Sequence, residues 1–454
     1  MSRTTIWMIG CLLLGFSPTA QAGGPMLIGS PSFGVNGQPF VWDNSQTIQY
    51  RTDSGALGSM DNATANSNLA QAFAAWTQVP TALLSVQNVG TILGVANGHV
   101  SSVADFDTVA ESCSSGTQSP IIYDSTGTIF SQLIGDASVI GFTSICDLNT
   151  NGHIQSALIV LTGAAGLTTP QQDNVMTHEI GHLFGLDHSL PGDDPCGTST
   201  DDIAALPIMY FQLESQTGLS EDDKAWISTL YPSTSYNSVY GTITGQVFFS
   251  DGQSGVQDVS VAAHPISPGS MAGENRAIAI SSISGYRFTG NPGQPYTANY
   301  LACTPASECP HGYYGNNVDG SQFGSRTPAL IGWFEIPVPA GSYAIEIGSI
   351  NDGGTIGPNN PIIPLPGPGE YWNVHESATD SDFSTISCTT PRVLDSVTVQ
   401  AGTPANGINF IMNGTAPTFD IFESSQGASP NSIPAHPLSR SIASEVISGA
   451  ASKQ

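Results

Sequence analysis

One stretch, His178-Glu179-Ile180-Gly181-His182-Leu183-Phe184-Gly185-Leu186-Asp187-His188, constrains this chain more than any other. Residues four apart on a helix share a face, so His178 and His182 can turn their imidazoles to one ion. Gly185 can take the left-handed backbone that ends a helix and turns the chain back. That turn lets His188 reach the same ion from outside the helix. Three imidazoles fill three of the four positions of a zinc ion and leave one for water, the pattern of a catalytic site. Glu179 adjoins a ligand and is poorly placed to be a fourth, but it is well placed to take a proton from that water. A site that only holds a fold has no use for this carboxylate. Helix signals frame the motif. Thr169 is the expected N-cap, Pro170 the first helical residue, and Gln172 the partner in a Thr-x-x-Gln capping box. The helix is expected to run to Phe184.

The chain has 454 residues, with 9 Lys+Arg against 36 Asp+Glu, a net charge of −27. So few cations cannot form the basic surface that phosphate binding needs, which excludes nucleic acid as a general partner. Charged residues are only 10% of the chain, so it is not a solvated acidic tail. Residues 1–22 read as a secretory signal peptide. Arg3 gives the positive end, Ile6 to Phe16 the apolar run, and Ala20-Gln21-Ala22 a small-x-small cleavage site. That run is too short to span a bilayer, no later stretch is long enough, and no transmembrane segment is expected. The expected location is extracellular, or periplasmic or outer-surface in a bacterium. Cys11 leaves with the signal, and Cys113, Cys146, Cys196, Cys303, Cys309 and Cys388 remain. An even set in an exported chain points to disulfides. Cys303 and Cys309 are the nearest local pair, and the sequence does not fix the connectivity.

Residues 23–39 form a short N-terminal segment. Residues 40–231 alternate strand-like and helix-like segments. Thr47–Arg51, Pro120–Tyr123, Val139–Ile145 and Ile154–Leu161 read as strands. Leu69, Phe73 and Trp76 mark one helix face, and Ser220 opens a last helix to Leu230 with acidic residues in its first turn. Residues 232–240 read as a Ser/Tyr/Asn-rich linker. Residues 241–415 carry alternating strands and Gly/Pro turns without a helical period, the pattern of an antiparallel sandwich. Residues 416–454, rich in Ser, Ala and Pro, are expected to be a disordered tail.

The motif with its following residue, Gly185-Leu186-Asp187-His188-Ser189, resembles the matrixin version of the metzincin metallopeptidase signature. Leu206-Pro207-Ile208-Met209-Tyr210 resembles the family's Met-turn, which implies that Met209 lies beneath the metal. Leu219 to Trp226 is similar to its closing helix, implying that Asp222 and Asp223 tie down the Met-turn and the mature N-terminus. Trp42–Asp53 and the helix through Ala72–Trp76 resemble its first strand and helix. The resemblance covers about residues 40–231. It implies an α+β metzincin catalytic domain, a twisted mixed sheet with an active-site helix, holding one catalytic Zn2+. It also implies that Val139, Ile140, Gly141 and Phe142 belong to an edge strand that binds substrate antiparallel. Two features differ from the family. The 17 residues from Gly23 to Pro39 hold no cysteine to block a metal, and only His99 and His153 precede the motif, too few for a second zinc site. Asp124 and Asp136 offer turn carboxylates, and Ca2+ there has no further support.

Residues 241–415 resemble the carboxypeptidase-regulatory, prealbumin-like β-sandwich. The likeness rests on Gly245-Gln246-Val247, Gly255 to Val261, Val338 to Tyr343 and Asn409-Phe410. It implies an all-β Ig/prealbumin-like domain. Trp333, Tyr371 and Trp372 would serve an extracellular surface or glycan partner if exposed, and a core otherwise. The expected function is a secreted zinc endopeptidase acting on protein or peptide substrates. The alternative is an extracellular adhesin whose metzincin domain is vestigial or self-processing.

Overall fold

A computed structural model of the chain describes residues 23–29, 35–135, 139–190, 204–256, 259–266, 278–287, 325, 327–348, 367–383, 394–414 and 443–449. The fold is mixed α/β, with three sheets and six helices among these residues. In chain order the first part comprises β1 (Val41–Trp42), β2 (Ile48–Thr52), α1 (Asn62–Thr77), β3 (Val86–Thr91), α2 (Val103–Ser114), β4 (Pro120–Asp124), α3 (Thr128–Leu133), β5 (Val139–Leu148), β6 (His153–Thr162), α4 (Thr169–Leu183), β7 (Gln212–Leu213) and α5 (Glu221–Leu230). Then follow α6 (Tyr236–Val239), β8 (Tyr240–Phe248), β9 (Ser260–Pro265), β10 (Ile280–Ile283), β11 (Trp333–Pro339), β12 (Gly341–Gly348), β13 (Glu370–Tyr371), β14 (Val397–Val399), β15 (Pro404–Asn406), β16 (Phe410–Ile411) and β17 (Ala443–Gly449).

The largest sheet runs β3-β2-β4-β6-β5-β17-β7, with β1 beside the start of β6. Its β1, β2, β3, β4 and β6 are mutually parallel, and β5 turns back antiparallel to β6. The α1 face of Ala65, Leu69, Phe73 and Trp76 is buried against α4. Phe184 packs edge-on against Phe73, Trp76 and Tyr231. The disulfide Cys113–Cys146 joins the end of α2 to β5. Cys196, Cys303, Cys309 and Cys388 lie outside the described residues, and so does the Cys303–Cys309 expectation.

The remaining strands form two further sheets, β10-β9-β12-β13 with β14 on β12, and β11-β8-β15 with β16 on β8. From Gly241 onward β8 alternates, burying Ile243 and Val247 between partly exposed Thr242, Thr244 and Gln246. Tyr371 is buried, and Trp333 and Trp372 pack half-buried against the core. The three aromatics are therefore packing residues. One apolar cluster extends from Met26 to Met412 and includes residues of all three sheets.

Four expectations are corrected. The helix starts one residue early. Thr168 is its cap, with its N–H and hydroxyl 3.0 and 2.9 Å from Gln171 Oε1, and Pro170 occupies the second helical position. Thr168 has the same side-chain chemistry as Thr169, so a pattern match alone could not separate them. Residues 232–240 are packed rather than a loose linker: Ser233 N donates to Thr81 O, and Tyr236 stacks on Tyr240 at 5.3 Å. Finally, residues 443–449 of the expected disordered tail form β17. Val139, Ile140, Gly141 and Phe142 do lie in a strand, but β17 pairs with it, so β5 is interior to the sheet.

Candidate metal centre

α4 carries the first two histidines, and its end is built to deliver the third. Gly185 has φ +85°, the left-handed region that a side chain would strain. The last carbonyls of a helix have no partner within it. Here Trp42 Nε1 donates to Leu183 O at 2.7 Å and the Tyr231 hydroxyl to Phe184 O at 2.6 Å. Residues 23–29 hold the returning loop from its other side. Gly23 N donates to His188 O, Met26 N to Gly185 O, and Asp187 N to Gly24 O.

His178, His182 and His188 are completely buried, and one ligand atom from each lies within 4.8 Å of the others. Their ring centroids are 4.6, 5.2 and 4.8 Å apart. His178 Nδ1 lies 2.7 Å from Ile208 O, and His182 Nδ1 lies 2.8 Å from Leu186 O. Those carbonyls can only accept, so each Nδ1 carries the proton and each Nε2 presents a lone pair. The two Nε2 atoms stand 2.9 Å apart. Two acceptors at that distance repel unless they share a cation, so the residues present fit a bound metal ion. Burial depresses the His178 pKa to about 4 and those of His182 and His188 well below the ordinary value. All three are then neutral near pH 7, the form a metal ion binds. Among the described residues this is the one cluster of histidine, cysteine and carboxylate ligands with such spacing.

Glu179 is fully buried, and burial raises its pKa well above the ordinary carboxylate value. Its Oε2 lies 2.6 Å from the hydroxyl of Thr143 on β5, which is also 3.0 Å from Glu179 O. Its Oε1 has no hydrogen-bond partner among the described residues and lies against Gly141. Thr143 is a positioning residue that the motif did not announce. Its signal was a pair of hydroxyls, Thr143-Ser144, inside a mostly apolar strand.

Met209 is buried, with its sulfur against Gly181, between the two helical histidines. A side chain at Gly181 would meet that sulfur and the Trp76 ring. Asp223 accepts from Ile208 N at 2.8 Å and Met209 N at 3.1 Å, clamping the turn. It thereby also fixes Ile208 O, the anchor of His178. Asp222 acts elsewhere than the resemblance implied. It accepts from the Ser189 hydroxyl, from Ser281 N at 2.6 Å and from the Ser281 hydroxyl at 3.1 Å. β10 packs against α5 and supplies the two Ser281 donors.

Two of the other candidates, His99 and Asp124, have structural partners. His99 Nδ1 pairs with Asp53 at 2.6 Å, and His153 is half-buried on β6. Asp124 accepts from Thr128 N at 3.0 Å and Phe130 N at 2.8 Å, closing a turn. Asp136 lies outside the described residues. No helix among the described residues is long and apolar enough to cross a membrane. No family model, curated protein or solved structure matches this chain.

Proposed function

We propose that the chain is a secreted zinc-dependent endopeptidase of metzincin, matrixin-like type, acting on protein or peptide substrates. The observation that carries the reading is the convergence of three buried, neutral imidazoles beside a buried carboxylate with one uncommitted oxygen. A donor set of three His nitrogens, which leaves the fourth position of a tetrahedral ion unfilled by these residues, suits zinc. A zinc ion bound there supplies a Lewis acid that lowers the pKa of water and polarises a peptide carbonyl.

The chain's own residues do the rest. His178 and His182 are held in one tautomer by Ile208 O and Leu186 O. Glu179 is the general base. Oε1 takes the proton of the attacking water and then passes it to the leaving amine, while Thr143 holds Oε2 still. Met209 and Asp223 fix the floor on which His178 rests. The β-rich second part serves as a packed extension of this unit.

The test combines metal content with activity. The purified chain should hold one zinc per molecule and cleave a denatured protein mixture. Glu179→Gln should keep the metal and lose activity by on the order of 10²–10⁴-fold. Chelation should abolish activity and lower the melting temperature, because it leaves Nε2 facing Nε2. A chain that binds zinc but cleaves nothing would leave the adhesin reading in its place.

A further inference from the structure

β17 lies in the position where an extended peptide would approach this site. It pairs antiparallel with β5, from Ala443 opposite Ile145 to Ser448 opposite Val139. It then pairs parallel with β7, Ser448 opposite Gln212 and Gly449 opposite Leu213. The other side of β5 is taken by β6, so β17 fills its only free edge. α4, which carries His178, Glu179 and His182, packs against β5, β17 and β7, so this part of the sheet flanks the metal centre. The register brings β17 past the general base. Ile447 stands opposite Gly141, whose backbone lies against Glu179 Oε1, and Glu445 stands opposite Thr143, which holds Oε2. The ladder is irregular between Ile447 and Ser448, next to this point. Strand addition of this kind draws affinity from main-chain hydrogen bonds and tolerates many sequences.

We propose that residues 443–449 are a tethered occupant of the peptide cleft, bound in cis, which must leave before another peptide can add to β5. This rests on the peptidase reading for its consequence, but the occupancy itself does not need catalysis. The 28 residues between 414 and 443 can reach on the order of 90 Å when extended, ample for the same molecule. A short tether gives an effective concentration in the millimolar range. An intrinsic affinity of about 0.1 mM would then close the cleft about nine-tenths of the time and raise an apparent KM about tenfold. Val446 and Ile447 are β-branched and favour the extended state.

The test uses the full chain carrying Val446→Pro and Ile447→Pro. Neighbouring amides on a strand point to opposite sides, so one of the two prolines removes a donor facing β5. Hydrogen–deuterium exchange over residues 139–148 should be slow in the parent and faster in the variant. A fluorescent synthetic peptide of residues 441–449 should bind about tenfold more tightly to the variant, with both proteins carrying Glu179→Gln to prevent cleavage. On the active background, KM for a peptide substrate should fall about tenfold with kcat unchanged. The pair Val446→Gly and Ile447→Gly keeps both donors and should give the same changes, smaller, which guards against a folding defect of the proline form. Equal exchange over β5, or equal affinity for the peptide, would overturn the proposal. If neither protein cleaves any substrate, the peptidase reading falls, while exchange and peptide affinity still decide the occupancy. Protection that depends on protein concentration would assign the strand to a second copy and overturn binding in cis.

Discussion

Thr143 and Glu179 show how much one hydroxyl can decide. A buried carboxylate with one oxygen held and the other uncommitted is oriented before any substrate arrives. Thr143→Val keeps the shape and removes the donor. It should lower kcat about tenfold with metal content unchanged, the size of an orienting contact rather than of the base itself; comparing kcat and zinc stoichiometry checks this. Asp222 gives a pH signature. Burial, and then the neighbouring Asp223 carboxylate, push it up to about 7 from the ordinary 3.8. A carboxyl raised in the fold contributes stability that is present below pH 4 and is lost as pH rises through 7. The slope for one proton is at most about 1.4 kcal/mol per pH unit. Asp222→Asn cannot ionise and escapes this loss. Its melting temperature, compared with the parent, should therefore rise steadily between pH 4 and pH 7. A constant difference across that range would refute the assignment.

At the scale of elements, the end of α4 is the decisive piece. Trp42 and Tyr231 satisfy the carbonyls released there, and Gly185 reverses the chain so that His188 comes back to the helical pair. Gly185→Ala forces a side chain into the left-handed region at a cost of about 1–2 kcal/mol. It should lower zinc affinity more than it lowers overall stability, because the strain falls on the turn carrying His188. Competition with a chelator and thermal unfolding would separate the two effects. The motif announced this helix, its stop and its three ligands, because spacing on a helix fixes which side chains share a face. It could not announce Thr143, Trp42 or Tyr231, which reach the site from 36 to 141 residues away in the chain. The capping residue was misplaced by one because Thr168 and Thr169 offer the same chemistry.

Across the whole molecule, the two parts are joined through buried polar contacts as well as apolar ones. Trp226 Nε1 donates to Ser281 O at 2.7 Å, and Leu190 N lies 3.2 Å from the Ser281 hydroxyl. Ser281 thus links α5 and the loop after His188 to β10. A boundary drawn at residues 232–240 from composition alone misses this, since composition reports segments and not what they pack against. The same holds for the C-terminal residues. A Ser/Ala/Pro-rich stretch lacks the apolar content to fold alone, yet 443–449 can complete a sheet whose other strands already exist.

By itself the sequence determined the three histidines that converge, the adjacent carboxylate, the alternation of elements before residue 231 and the β-rich texture after it. These follow from local rules of periodicity, capping and spacing, which act within a few turns of chain. Tertiary structure alone decided which carbonyls set the histidine tautomers, which hydroxyl holds Glu179, why Asp222 serves β10, and what lies along β5. Those depend on groups meeting across long separations, where packing in three dimensions chooses the partner and no short-range pattern records it.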